Sequence, residues 1–342
     1  MFDFKNMLFF AFLISLPGIQ AILNLNSSSN AAVYWGQASG SLPQQNLAYY
    51  CQNSDIDVFI LAFVIAIRGP GGVPEINFAS AGNNCTTFPG TALLNCPQIG
   101  ADIKTCQAAG KTIILSIGGS TYGGGEFTTT NDTIAAANIL WTTFGPVTSD
   151  SSVDRPFGNA VVDGFDLDFE AVIANTAPFA AQLRSLMSTD TSRKYYLTVA
   201  PQCPYPDAAD DTMLHGVVYF DAIWVQFYNN YCGLQSFVPG ASTQNNFNFA
   251  TWDQWAKNVS NNPNVKVFLG VPGNTGAAGS GYEPPSSLVP IISYCKQFSS
   301  FGGVMVWDAV QAYANNGFLG SIKQDLTSTT SRLFRFSYDS SL

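Results

Sequence analysis

The sequence predicts a single-domain α/β protein, a closed (β/α)8 TIM barrel. Eight apolar, β-rich runs recur along the chain, at 31–36, 58–65, 112–118, 161–170, 195–200, 222–228, 265–271 and 303–308. Most are nearly continuous hydrophobic segments, the pattern of strands buried on both faces of a parallel sheet. Helix candidates lie between them, at 43–52, 97–109, 133–144, 178–187, 251–259 and 286–298. Several begin with Pro, which suits the first turn of a helix. The segment around His215 is a poor helix former and predicts a shortened element. Eight strands alternating with helices favour a closed barrel over an open sheet. No Gly-x-Gly-x-x-Gly follows the first run, so a dinucleotide-binding sheet lacks its main support. No linker or repeat divides the chain, and the Gly/Asn/Pro-rich insert at 66–97, which contains Cys85 and Cys96, reads as a stapled loop.

At 342 residues with 46% hydrophobic and only 11% charged side chains, the chain can bury a sizeable core and is not a disordered type. Its 14 Lys and Arg against 23 Asp and Glu give a net charge of -9, which argues against nucleic acid or an anionic membrane as partner. A neutral polymer fits. Lys5, the apolar run 8–16 and the segment 17–21 have the order of a secretory signal peptide, placing the mature barrel at 22–342. That apolar run is too short to span a bilayer comfortably. Asn-x-Ser/Thr sequons at Asn26, Asn84, Asn131 and Asn258 agree with export and a glycoprotein. Seven cysteines are present without a Cys-x-x-Cys pair, and there is one histidine, so a metal site is not expected. Six of them can form three bridges in an oxidising compartment, although spacing alone leaves the pairing open.

The chemistry concentrates in DGFDLDFE, residues 163–170, which carries Asp163, Asp166, Asp168 and Glu170. Strand parity puts Asp166, Asp168 and Glu170 on one face and Phe165, Leu167 and Phe169 on the other. With the apolar face under the helices, the acids point into the barrel. Glu170 then lies at the carboxyl end of its strand, where active sites of such barrels sit. Burying three carboxylates is costly unless protons are shared, and Asp166 and Asp168 sharing one proton would keep Glu170 protonated, as a general acid requires. A cation site is the alternative use of such acids. Hard-cation sites draw ligands mainly from loops, which disfavours it.

These residues resemble glycoside hydrolase family 18, whose fourth strand carries Asp-x-x-Asp-x-Asp-x-Glu. The resemblance extends to Ser116-Ile117-Gly118-Gly119, Tyr34-Trp35-Gly36-Gln37, Ala200-Pro201-Gln202-Cys203, 225–230 (VQFYNN) and 303–307 (GVMVW), which are similar to the hevamine-like class III chitinases of plants and fungi. It covers most of 31–319. It implies an endo-acting chitinase that takes chitin or chitooligosaccharides and needs no cofactor; with the leader the protein is expected to be secreted, and a monomer is the default expectation. The family is an exception to the scheme in which two enzyme carboxylates retain configuration. The resemblance implies that the substrate's N-acetyl carbonyl is the nucleophile and Glu170 the acid and later the base. Asp168 would orient the acetamide N–H, Asp166 would hold Asp168's proton at rest, and Tyr228 would bond the acetamide oxygen. Trp307 would floor the sugar, with Gln226, Asn229 and Gln37 as polar contacts and Ser116 supporting the acids. It also implies the pairs Cys51–Cys106, Cys85–Cys96 and Cys203–Cys232, leaving Cys295 as an inert buried thiol. Ala38 stands where this branch often has Asn, and Asp308-Ala309 after Trp307 is nearer the fungal members.

The rival reading is a non-catalytic sugar-binding or inhibitor protein on the same barrel. Such relatives usually lack the terminal Glu or one Asp of the motif, and here the set is intact. Action on N-glycan cores or peptidoglycan is a further alternative, since both offer an N-acetylglucosamine acetamide.

Overall fold

A computed structural model describes residues 23–122, 127–216 and 218–328, so the signal segment at 1–21 lies outside the described residues. Eight parallel strands close on themselves: β1 (Asn30–Trp35), β2 (Val58–Ala66), β3 (Thr112–Gly118), β4 (Gly164–Asp168), β5 (Tyr196–Val199), β6 (Ala222–Gln226), β7 (Lys266–Pro272) and β8 (Phe301–Trp307). Each pairs with its sequence neighbours, and β1 pairs with both β8 and β2 to complete the ring. The predicted barrel is therefore the observed one.

Parity divides the core in two. Val33, Phe59, Leu61, Leu115, Phe165, Leu167, Val225 and Leu269 pack outward with the helices in one cluster. Ala32, Tyr34, Val58, Ile60, Ile114, Tyr196, Trp224, Phe268 and Met305 form a separate inner cluster. Both faces of every strand are thus buried, which is why the strands read as unbroken apolar runs.

The amino-terminal end of the barrel repeats one device. An Asp directly before β2, β4 and β6 accepts the backbone N–H of the second residue of the preceding strand: Asp57 from Ala31, Asp163 from Ile113 and Asp221 from Leu197. Each also meets a cation, respectively Lys323, Arg193 and Arg184. Asp163, first acid of the motif, is thereby a structural residue at the end remote from the mouth.

Several elements differ from expectation. The helix expected at 43–52 shrinks to Leu47–Tyr50. The preceding residues run along the barrel instead, where Gln44 Oε1 accepts the N–H groups of Gly36 and Ala38 and the Gln45 carbonyl accepts the Trp35 indole. The fourth strand, expected over 161–170, is regular only over Gly164–Asp168. The segment before His215 makes a single turn, Asp211–Leu214. The other helices keep their places: Pro97–Ala108, Thr130–Phe144, Thr176–Met187, Phe249–Asn258 and Pro285–Cys295, with Ala309–Ala314 and Phe318–Thr327 closing the ring. The three disulfides are Cys51–Cys106, Cys85–Cys96 and Cys203–Cys232, and Cys295 is a buried free thiol. Cys85–Cys96 staples a short hairpin, Thr86–Thr87 against Leu94–Asn95, inside the insert after β2.

Candidate active site

Asp166 sits at the barrel centre, fully buried, and accepts three hydroxyls at 2.7 Å, one from each of β1, β3 and β5: Tyr34 and Ser116 on Oδ2, Thr198 on Oδ1. Burial raises its carboxyl above the ordinary range and the three hydroxyls oppose that shift. All three are used as donors, an arrangement that favours the carboxylate form. Ser116 thus supports the acids.

Two residues on, Asp168 is buried just below the mouth. Its Oδ1 accepts Gln226 Nε2 at 3.1 Å, and the same amide nitrogen donates to the Ala200 carbonyl at 3.0 Å. Burial holds Asp168 well above the ordinary carboxylate range, and the charges of Glu170 and Asp166 push it further. Asp168 is thereby raised further than Asp166, which lies beneath it in a cage of three hydroxyl donors.

Glu170 lies just past the end of β4 at the mouth, and its side chain is exposed. Three carboxylates are not buried in a row, as strand parity suggested; two are, and the third is open to the cleft. The walls still crowd the Glu170 carboxyl enough that partial burial alone raises it above its ordinary value. Its proton affinity comes from the cleft and not from the aspartates.

Tyr228, two residues beyond β6, is buried, yet its hydroxyl has no hydrogen-bond partner among the described residues. Burial and the nearby Asp168 and Glu170 charges push that hydroxyl's pKa well up, so it remains a donor. Trp307, the last residue of β8, is half-buried. Its ring stacks 6.0 Å from Phe63 and tilts against Tyr34 at 5.4 Å, so aromatic rings pack against it within the inner cluster.

Two expected sugar contacts are occupied by the protein. Gln37 Nε2 donates to the carbonyls of Ala62 at 2.8 Å and Asn77 at 3.0 Å, tying the end of β1 to the chain after β2. Asn229 Oδ1 accepts the N–H groups of Gly279 and Ser280, anchoring the loop after β7. Residues that sequence reasoning left without a role complete the site. Tyr34 and Thr198 share the inward parity of Asp166, and that parity was their available signal. Asp308 accepts the Ser39 N–H at 3.0 Å and caps the helix Ala309–Ala314 through the Gln311 N–H at 3.1 Å, joining the first and last loops of the mouth.

The close approach of β3 and β4 explains one glycine. Gly118 has φ +131°, and a Cβ there would lie 2.0 Å from the Asp168 carbonyl oxygen. The next residue, Gly119, donates its N–H to that same oxygen at 2.8 Å.

The sequence profile of glycosyl hydrolases family 18 matches residues 30–280, which include Asp166, Asp168, Glu170 and Tyr228. The chain belongs to glycosyl hydrolase family 18. It is 53% identical over 98% of its length to a class III chitinase of Arthroderma benhamiae, covering 97% of that protein. It is 50% identical to endochitinase 33 of Trichoderma harzianum, over 89% of this chain and 93% of that one. Among solved structures, a xylanase and α-amylase inhibitor protein from Scadoxus multiflorus has a TM-score of 0.70 at 31% identity, covering 86% of this chain and 97% of the other. A barrel similar to this one thus occurs in a protein described as an inhibitor, and the side chains at the mouth must decide function where the barrel does not.

Proposed function

We propose that the chain is a chitinase that hydrolyses β-1,4-linked N-acetylglucosamine polymers, with retention of configuration and assistance from the substrate. The observation that carries this reading is the vertical order of the acids along β4: Asp166 in its hydroxyl cage, Asp168 above it on Gln226 with a strongly raised pKa, and Glu170 open to the cleft with a raised pKa. Glu170 protonates the glycosidic oxygen as the bond to the anomeric carbon breaks. No second carboxylate stands free at the mouth of this strand to attack that carbon, and the acetamide carbonyl of the sugar does so instead. Asp168 passes its proton to Asp166 and rotates from Gln226 toward the acetamide N–H, where its carboxylate charge stabilises the cyclic oxazolinium. Tyr228 donates its unengaged hydroxyl to the acetamide oxygen and holds it in line. Glu170, now ionised, takes a proton from the water that opens the ring. Trp307 supplies the apolar floor.

Three disulfides and the exposed positions of Asn26, Asn84, Asn131 and Asn258 support export to an oxidising compartment. One chain supplies every group named above, so a single copy suffices.

The test compares wild type with Glu170→Gln on chitin oligosaccharides, following products and their anomeric form over the first minutes. The wild type should release β-anomers, and the variant should lose at least ~100-fold in kcat, the scale of a general acid. Binding without cleavage by the wild type would refute the enzyme reading, and initial α-anomers would refute retention.

A further inference from the structure

Behind Trp307 the inner cluster continues through Phe63 to Ile65, which lines a cavity of about 290 Å³. The cavity is formed between the end of β2 and the stapled insert, and Glu75, Asn77, Phe78 and Asn83 line it with Ile65. Its volume, at the lower end of ligand pockets, suits one sugar ring and not two. It adjoins the site through Gln37, which bonds the Asn77 carbonyl. Glu75 is its only ionic lining group. That carboxylate is half-buried and has no ion pair or side-chain hydrogen bond among the described residues. The nearby cation, Arg68, is directed instead to Asp132. The Asn77 side-chain oxygen already accepts the Ala79 N–H.

We propose that Glu75 in this cavity selects the ammonium group of a deacetylated unit of the bound chain, glucosamine, over N-acetylglucosamine. A half-buried carboxylate without a cation is unfavourable when a neutral sugar displaces its water, whereas an ammonium restores the lost solvation as an ion pair. The net charge of -9 also draws a partly deacetylated, cationic chain toward the protein.

The experiment measures kcat/KM of wild type and Glu75→Gln on fully acetylated chitohexaose and on partly deacetylated chitosan, and sequences the chitosan products by mass spectrometry. On chitosan the variant should lose ~5-fold, the worth of one partly screened ion pair. On chitohexaose it should stay within about two-fold of wild type, which also shows that it folds. Wild-type products should be enriched in glucosamine at the unit that occupied the cavity, and added salt should reduce that enrichment. Equal effects on both substrates, or no enrichment, would overturn the inference. It rests on the chitinase reading, but the two fail differently: a wild type inert toward chitohexaose would overturn that reading, whereas an active wild type without discrimination overturns only the role of Glu75.

Discussion

Asp210 is fully buried and neither carboxyl oxygen has a partner. Burial holds its pKa well above the ordinary value, with the charges of Asp207, Asp168 and Asp166 adding to the shift. With Asp168 it makes a pair of carboxyls whose pKa is raised in the folded chain relative to the unfolded one. A carboxyl whose folded pKa is raised contributes stability that is complete below its unfolded pKa and is lost as pH rises through the folded value. The melting temperature should therefore fall as pH rises from about 4, the ordinary Asp value, toward neutrality. Asp210→Asn should match wild type near pH 4 and melt several degrees higher at pH 7, on the scale of ~2–4 °C per kcal/mol for a domain of this size. Calorimetry across that range checks the sign, and a variant less stable than wild type at pH 7 would contradict it.

At the level of elements, parity made the site legible and parity also failed in one place. The alternation of DGFDLDFE correctly separates the inward acids from Phe165, Leu167 and Phe169, because β4 is regular. On β2 the register with β3 shifts between Ala62 and Val64. Phe59 and Leu61 pack outward, but beyond the shift Phe63 and Ile65 join the inner cluster. That bulge delivers Phe63 to Trp307 and opens the wall of the Glu75 cavity, and nothing in an unbroken apolar run announces it. Gly118 is the other special position, where β3 and β4 nearly touch at the mouth. Gly118→Ala combines a positive φ with a Cβ against the Asp168 carbonyl oxygen. It should cost about 3 kcal/mol and displace Asp168 as well. The expected outcome is a lower melting temperature together with a fall in kcat for the folded fraction. Unchanged kcat and stability would show that the contact carries no such constraint.

For the whole molecule, one eight-residue stretch serves three levels of the barrel. Asp163 ties the amino-terminal end, Asp166 gathers hydroxyls from three other strands at the centre, and Glu170 faces solvent at the mouth. The sequence displayed the acids together, and only the closed ring separates a structural aspartate from a reacting one. Tyr34 is 132 residues from Asp166 along the chain, so its bond across the barrel was invisible without the ring. The same ring brings Tyr228 close to Asp168 and Glu170, where the proposed mechanism makes the substrate's acetamide the nucleophile. The reducing ends formed from partly deacetylated chitosan test that last point most directly. If the acetamide is the nucleophile, every new reducing end carries an N-acetyl group, because a glucosamine bound beside Trp307 has no carbonyl with which to attack. New reducing ends bearing free amines, formed at a comparable rate, would contradict it.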